Sequence, residues 1–292
     1  MDEPMELDAD RERVLQAAAY EALWLREKAS FKYFSDLRRS GATSDLKDLV
    51  SDGELYHSEK ELSGYLSGEF GELVNIKLIS DADYPNNLLD AVNPINLFYS
   101  IGDWQLCSCA KKVSIIGSRS VSFDGLQRAH RLTKILVENG FVVISGLARG
   151  VDSIAHEAAM HYGGRTIGVI GTPILDYYPK ENWKLQNKVA RNHLLISQVP
   201  ALRYKSQDFK LNRHFFPERN ATMSAIADAT VIIEASDKSG TLTQAKHAIA
   251  QGRKLFILNS CFEKDGALWP WDLLKKGAVR VKSPSDILSY FS

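Results

Sequence analysis

The spacing of apolar positions changes at about residue 112. Before it, Val14, Leu15, Ala18, Ala22, Leu25 and Ala29 recur every three or four residues, with no Gly or Pro between them. That is the period of an amphipathic helix. Gly41 ends the region; Leu46, Leu49 and Val50, then Leu62, Tyr65 and Leu66, mark two further short helices on either side of SDGE. From 71 to 112 the pattern loosens, with Pro85 and Pro94 as punctuation and one short strand expected over 96–100. After it, strand-length apolar runs alternate with helical spacing. Val113, Ile115 and Ile116 form a strand, Leu126, Ala129, Leu132, Ile135, Leu136 and Val137 a helix stopped by Gly140, and 141–144 the next strand. Further strands are expected at 165–170, 194–197, 230–234 and 254–258, with a brief one at 279–281. Helices are expected at 153–162, entered at Asp152 as N-cap, at 181–191, from about Asn220, at 242–250, at 271–276 and from Pro284. Strand–helix alternation over about 170 residues predicts a doubly wound, mostly parallel sheet.

This divides the chain into an acidic helical N-terminal domain (1–70), a connector packing on the sheet domain (71–112) and an α/β domain (113–292). Charge follows the division. Residues 1–110 hold 10 Lys+Arg against 21 Asp+Glu, and the remainder 26 against 15, so a net charge of zero conceals −11 and +11. A basic half points to a polyanion, although two domains pairing opposite fields would give the same numbers. The acidic start has no apolar stretch of secretory type, and no run of about 18 apolar residues spans a membrane. Cytoplasmic localisation and no membrane partner are therefore expected. Cys107, Cys109 and Cys261 lack zinc-site spacing and read as free thiols. Asp81, Asp83 and Asp90 are read as turn residues in preference to a cation site.

In a parallel sheet the loops at the strands' carboxyl ends share one edge, where ligands bind. The first, Gly117, Ser118, Arg119 and Ser120, combines helix-start amides with a guanidinium, but lacks the third glycine of a dinucleotide fingerprint. The second runs from Ser145 and Gly146 to Arg149 and Gly150, and reads as an anion cradle or as a tight turn without a ligand. The third, FFPERN, places Phe216 beside Arg219 and Asn220, a recipe for stacking plus charge; a core Phe pair beside an N-cap Asn is the bland alternative. The fourth sets Lys238, Ser239, Gly240 and Thr241 at a helix start, without the G-K-[ST] order of a P-loop. Upstream of Phe216, basic residues including Arg203, Lys205, Lys210 and Arg213 interleave with Tyr204, Phe209 and Phe215. Together these predict a groove for phosphates and bases. Catalysis has little support: His156 reads as a packed residue, Glu234 is the one acidic candidate nearby, and no catalytic, metal or cofactor residue is assigned.

These residues resemble the DNA-processing protein A (DprA/Smf) family. The resemblance rests on GSR at 117–119, SGLARGVDSIAH at 145–156, YPKEN at 178–182, FPERN at 216–220, EASDKSGTLTQA at 234–245 and GR at 252–253. It implies an extended Rossmann-like domain that binds single-stranded DNA, without ATP or another cofactor. It also implies a homodimer that in typical members helps load RecA onto DNA during transformation. Arg119, the 145–150 turn, Arg219, Asn220 and Lys238 would then line the DNA pocket. Three features depart from the pattern: Ala221 stands where a basic residue usually follows RN, residues 1–70 contain no helix-hairpin sequence, and no winged-helix sequence follows the sheet. Two other readings are a nucleotide-sensing or nucleotide-hydrolysing Rossmann-like protein, and a DNA-sensing subunit of an anti-phage complex whose residues 1–70 hold a partner protein.

Overall fold

The computed structural model describes residues 3–41, 45–237 and 239–292, with backbone alone for 3–9. Nine strands form one sheet: β1 (Asn75–Leu78), β2 (Leu97–Gly102), β3 (Lys112–Ile116), β4 (Val142–Ser145), β5 (Thr166–Ile170), β6 (Leu194–Ser197), β7 (Ala229–Ile232), β8 (Lys254–Leu258) and β9 (Val279–Val281). Their spatial order is β1-β2-β6-β5-β4-β3-β7-β8-β9. The seven strands from β6 to β9 run parallel, while β2 lies antiparallel to β6 and β1 antiparallel to β2. β3 through β7 are buried at every residue. This explains why they are mostly apolar, since helices cover both faces of a parallel sheet.

The helices are α1 (Glu3–Trp24), α2 (Phe31–Arg39), α3 (Asp52–Tyr65), α4 (Asn86–Leu89), α5 (Phe123–Glu138), α6 (Val151–His161), α7 (Trp183–Asn192), α8 (Ala201–Ser206), α9 (Phe209–Asn212), α10 (Phe215–Ile226), α11 (Gly240–Ala250), α12 (Trp269–Lys275) and α13 (Ser285–Leu288). Side chains alternate across the sheet. Val113 and Ile115 of β3 therefore join Ala129, Leu132, Leu136 and Ala155 of α5 and α6 in one core layer. Ile116 faces the opposite layer, with Met223 of α10, Ala245 of α11 and the aromatic end of α1. No described helix is long and apolar enough to cross a membrane.

The N-terminal helices share that second layer. Ala17, Ala18, Ala19 and Tyr20 of α1 are essentially inaccessible, and these small side chains let α1 lie close against its neighbours. Tyr20 Oη donates to the Gln198 carbonyl (3.1 Å), and the buried Glu21 carboxylate accepts from Ala201 N and Leu202 N (both 2.9 Å) and from Tyr99 Oη (2.6 Å). Glu21 thus caps the start of α8 from another part of the chain. Asp81 pairs with Arg13 and Asp83 with Lys77.

Three sequence-based expectations change. The segment 199–220, read as a polar, basic and aromatic loop, is instead α8, α9 and the start of α10. α10 starts at Phe215, so FFPERN is its first turns and Asn220 lies inside it. Pro217 sits in its first turn, where a missing N–H costs no intrahelical bond. α6 starts at Val151 after Gly150, so Asp152 is not the N-cap; its carboxylate turns back to Gly146 N (3.2 Å) and Ala148 N (3.4 Å). The connector carries a strand, β1, that its sequence did not reveal, because Asn75–Leu78 is short and at the sheet edge.

Candidate nucleic-acid interface

Parallel pairing brings the loops after β3, β4, β5 and β7 to one edge, and short bonds tie three of them together. Ser118 N donates to the Glu234 carbonyl (2.8 Å), Thr241 Oγ1 to the Gly117 carbonyl (3.1 Å) and Val151 N to the Ser118 carbonyl (3.4 Å). Gly150 has φ +78°, and a side chain there would strike the Ser118 carbonyl, so glycine is required on both counts. At the junction of β3 and β7 the polar groups are used internally. Glu234 accepts from Ser122 Oγ (2.5 Å) and faces Arg128 (3.5 Å), while Ser239 caps α11 and donates to Thr241 Oγ1 (2.8 Å).

The next junction, over β4 and β5, is built around Arg219. Its side chain comes from α10, is 5% exposed, and donates through Nη1 to the carbonyls of Gly146 (2.6 Å) and Val169 (2.8 Å). A side chain at position 146 would occupy the space of that guanidinium. Burial pushes Arg219 down to about 10 and raises the Asp152 carboxyl, while their mutual attraction opposes both shifts. Arg219 stays charged at neutral pH and locks the 146–150 loop onto β5. The guanidinium's direct partners are the two carbonyls, and Asp152 opposes its charge without bonding to it.

Above this clamp lies an open cleft of about 820 Å³. Its aromatic lining is Tyr177, Tyr178, Tyr204, Phe209 and Phe216, with Tyr178 5.1 Å from Phe216 and 6.1 Å from Phe209 between ring centres. Arg119, Arg149 and Lys180 supply positive charge at its rim, and Arg149 pairs with Glu181. Phe209 is 53% exposed. The loop after β5 is held from several sides. Asn182 Nδ2 donates to the Leu147 carbonyl (2.8 Å) and Ser153 Oγ (2.9 Å), and Tyr65 Oη of α3 accepts from Leu175 N (2.9 Å). Burial raises the carboxyl of Asp176, which also lines the cleft.

Of the residues expected at the site, Arg119, Gly146, Arg149, Phe216 and Arg219 line this cleft. Gly117, Ser118 and Gly150 shape its floor loops. Ser145 is wholly buried and its hydroxyl donates to the Ile115 carbonyl (2.7 Å), so it is a core residue. Ser239, Gly240 and Thr241 start α11 beside the cleft, and Arg213 and Asn220 do not line it. Lys238 lies outside the described residues. Sequence reasoning missed Tyr177, Tyr178, Pro179 and Lys180 as lining residues. The available signal was two tyrosines and a lysine in a loop at a strand's carboxyl end. Phe215, adjacent to Phe216, turns the other way, to Trp24 (5.8 Å) and Phe31 (6.3 Å). His156 is buried, with Nδ1 2.7 Å from Thr166 Oγ1, and burial takes it down to about 3, so it is a neutral packed side chain.

Residues 75–292 match the family model described as DNA recombination-mediator protein A. The DNA processing protein DprA of Bacillus subtilis is 30% identical over 264 residues, 90% of this chain and 87% of that one. The protein of the same name from Streptococcus pneumoniae is 33% identical, over 78% and 77%. Among solved structures, DprA from Streptococcus pneumoniae superposes with TM-score 0.71 at 26% identity, over 96% of both chains. DprA from Helicobacter pylori, described by its single-stranded DNA binding mode, gives TM-score 0.63 at 28% identity over 74% of this chain and 95% of that one.

Proposed function

The chain belongs to the DNA recombination-mediator protein A family, and on that premise we propose that its cleft over β4 and β5 binds single-stranded DNA. The carrying observation is the set of rings, Tyr178, Phe209 and Phe216, facing a cleft whose rim bears Arg119, Arg149 and Lys180. Every base has a π face, so a ring platform accepts any sequence, while the rim cations take the phosphates. Duplex DNA keeps its bases stacked inside and cannot use such a platform. Arg219 acts behind the site, holding the 146–150 loop in place beneath the cleft.

The mediator role follows in the same reading. A strand held by its phosphates and bases is kept extended for transfer to a recombinase, and the recipient is RecA. The chain works as a cytoplasmic homodimer, without turnover of its own, and its acidic residues 1–70 offer a surface for a protein partner. A titration with single-stranded DNA, duplex and a mononucleotide at two salt concentrations tests the reading. Expected is preference for single strands, with affinity falling as log salt rises by about 0.7 per phosphate contacted. Tighter binding of the mononucleotide than of the oligonucleotide would favour a nucleotide sensor instead.

A further inference from the structure

The cleft does not end at its rim. Lys180 lines it, and three residues later α7 begins with Trp183, whose indole is 48% exposed. Lys184 Nζ sits over that ring, 5.4 Å from its centre. Lys184 and Lys188 then line a separate groove of about 460 Å³ between α6 and α7, with Leu185, Met160, His161 and Glu157. Asn182, bonded to Leu147 and Ser153, ties the head of this groove to the cleft's own loop. Lys184 and Lys188 stand four residues apart on α7, a rise of about 6 Å and the scale of one extended nucleotide, and Lys180 lies in the short turn just before that helix. Among the described residues none of the three has an ion-pair partner, in a chain where Arg149, Arg191 and Lys112 each have one. Glu157 is the single carboxylate lining the groove.

An exposed indole with Lys184 over its ring, beside lysines that have no carboxylate partner, suits a polyanion carrying flat rings. We infer that the groove between α6 and α7 is a second segment of the nucleic-acid path. The strand leaves the cleft past Lys180, stacks a base on Trp183, and lays its phosphates along Lys184 and Lys188. This rests on the proposed cleft and adds a direction and a length to it: the strand exits toward α7, and short strands fill the cleft alone.

The test uses the full chain and labelled oligothymidylates of about 6 and about 25 nucleotides, bracketing the 4–16 typical of one binding fold. The double variant Lys184→Ser with Lys188→Ser, and separately Trp183→Leu, should each weaken the long oligomer by about tenfold and leave the short one within about twofold. The double variant should also lower the salt slope for the long oligomer by about 1.4, at about 0.7 for each of two phosphates. Tryptophan emission should change with the long oligomer, not the short one, and Trp183→Leu should abolish the change. Equal losses at both lengths, or none at the long one, overturn the path along α7 while leaving the cleft in place. No binding of either oligomer by the unaltered chain overturns the cleft itself.

Discussion

Two junctions of this sheet began with the same materials and came to different ends. Between β3 and β7, the point where strand order reverses, glycines, hydroxyls and cations meet at helix starts, as ligand sites in open α/β sheets require. There the groups satisfy one another: Ser122 and Arg128 on Glu234, Ser239 on Thr241, Thr241 on Gly117. One strand over, between β4 and β5, Arg219 and Asp152 are pulled beneath the loop, and the space above is left to rings and rim cations. An anion-like loop motif is therefore ambiguous until it is known which groups bond internally. The distinction lies in how many donors are left over.

The largest break in this comparison should come from removing the clamp. Arg219→Met leaves Asp152 buried without its counter-charge and frees the 146–150 loop. Urea unfolding should show a loss of about 3–5 kcal/mol, from two charged-donor hydrogen bonds lost at about 1.5–3 kcal/mol each. An unchanged midpoint would mean that the guanidinium is not the loop's anchor. The next effect concerns the wall that carries Tyr204. Burial raises Glu21 from its ordinary 4.5 to about 7, against the donors from Tyr99, Leu202 and Ala201. The folded chain therefore keeps a proton that the unfolded chain has already released. Unfolding free energy should fall as pH rises from about 4.5 to about 7 and level off above it, by on the order of 3 kcal/mol at most. Glu21→Gln should flatten that profile.

Smaller effects separate the two junctions by function. Phe216→Ala, with its ring facing Tyr178, should cost about 1–3 kcal/mol in single-strand affinity by anisotropy, the usual worth of a base platform. Glu234→Gln, at the self-satisfied junction, should leave that affinity within about twofold and lower stability by about 1 kcal/mol through the weakened Ser122 and Arg128 bonds. If the two swap, with Glu234 governing affinity and Phe216 not, the site belongs at the β3–β7 switch point.

Much of the architecture could be read from residue order. Apolar runs at 113–116, 141–144, 194–197 and 254–258 anticipated β3, β4, β6 and β8 within a residue or two. β1 escaped because four edge residues with a single buried member carry almost no periodic signal. The start of α10 escaped because Pro217 looks the same in a loop and in a helix's first turn. At the site, Arg119, Arg149 and Phe216 were legible as loop cations and a ring, but Tyr178 and Lys180 stood in a loop read only as a family motif.

Local pattern determined the strands, the helices and their alternation, and parallel alternation by itself sends every loop after a strand to the same edge. Which side chains meet there was decided only by tertiary packing. Phe215 and Phe216 are neighbours of the same type, but about 100° of helical rotation sends one to Trp24 in the core and the other into the cleft. Arg219 is written in the sequence as one more exposed cation. The weight of α10 lying across β5 makes it a buried clamp, because burial and partner are properties of the assembled layers and not of the residue.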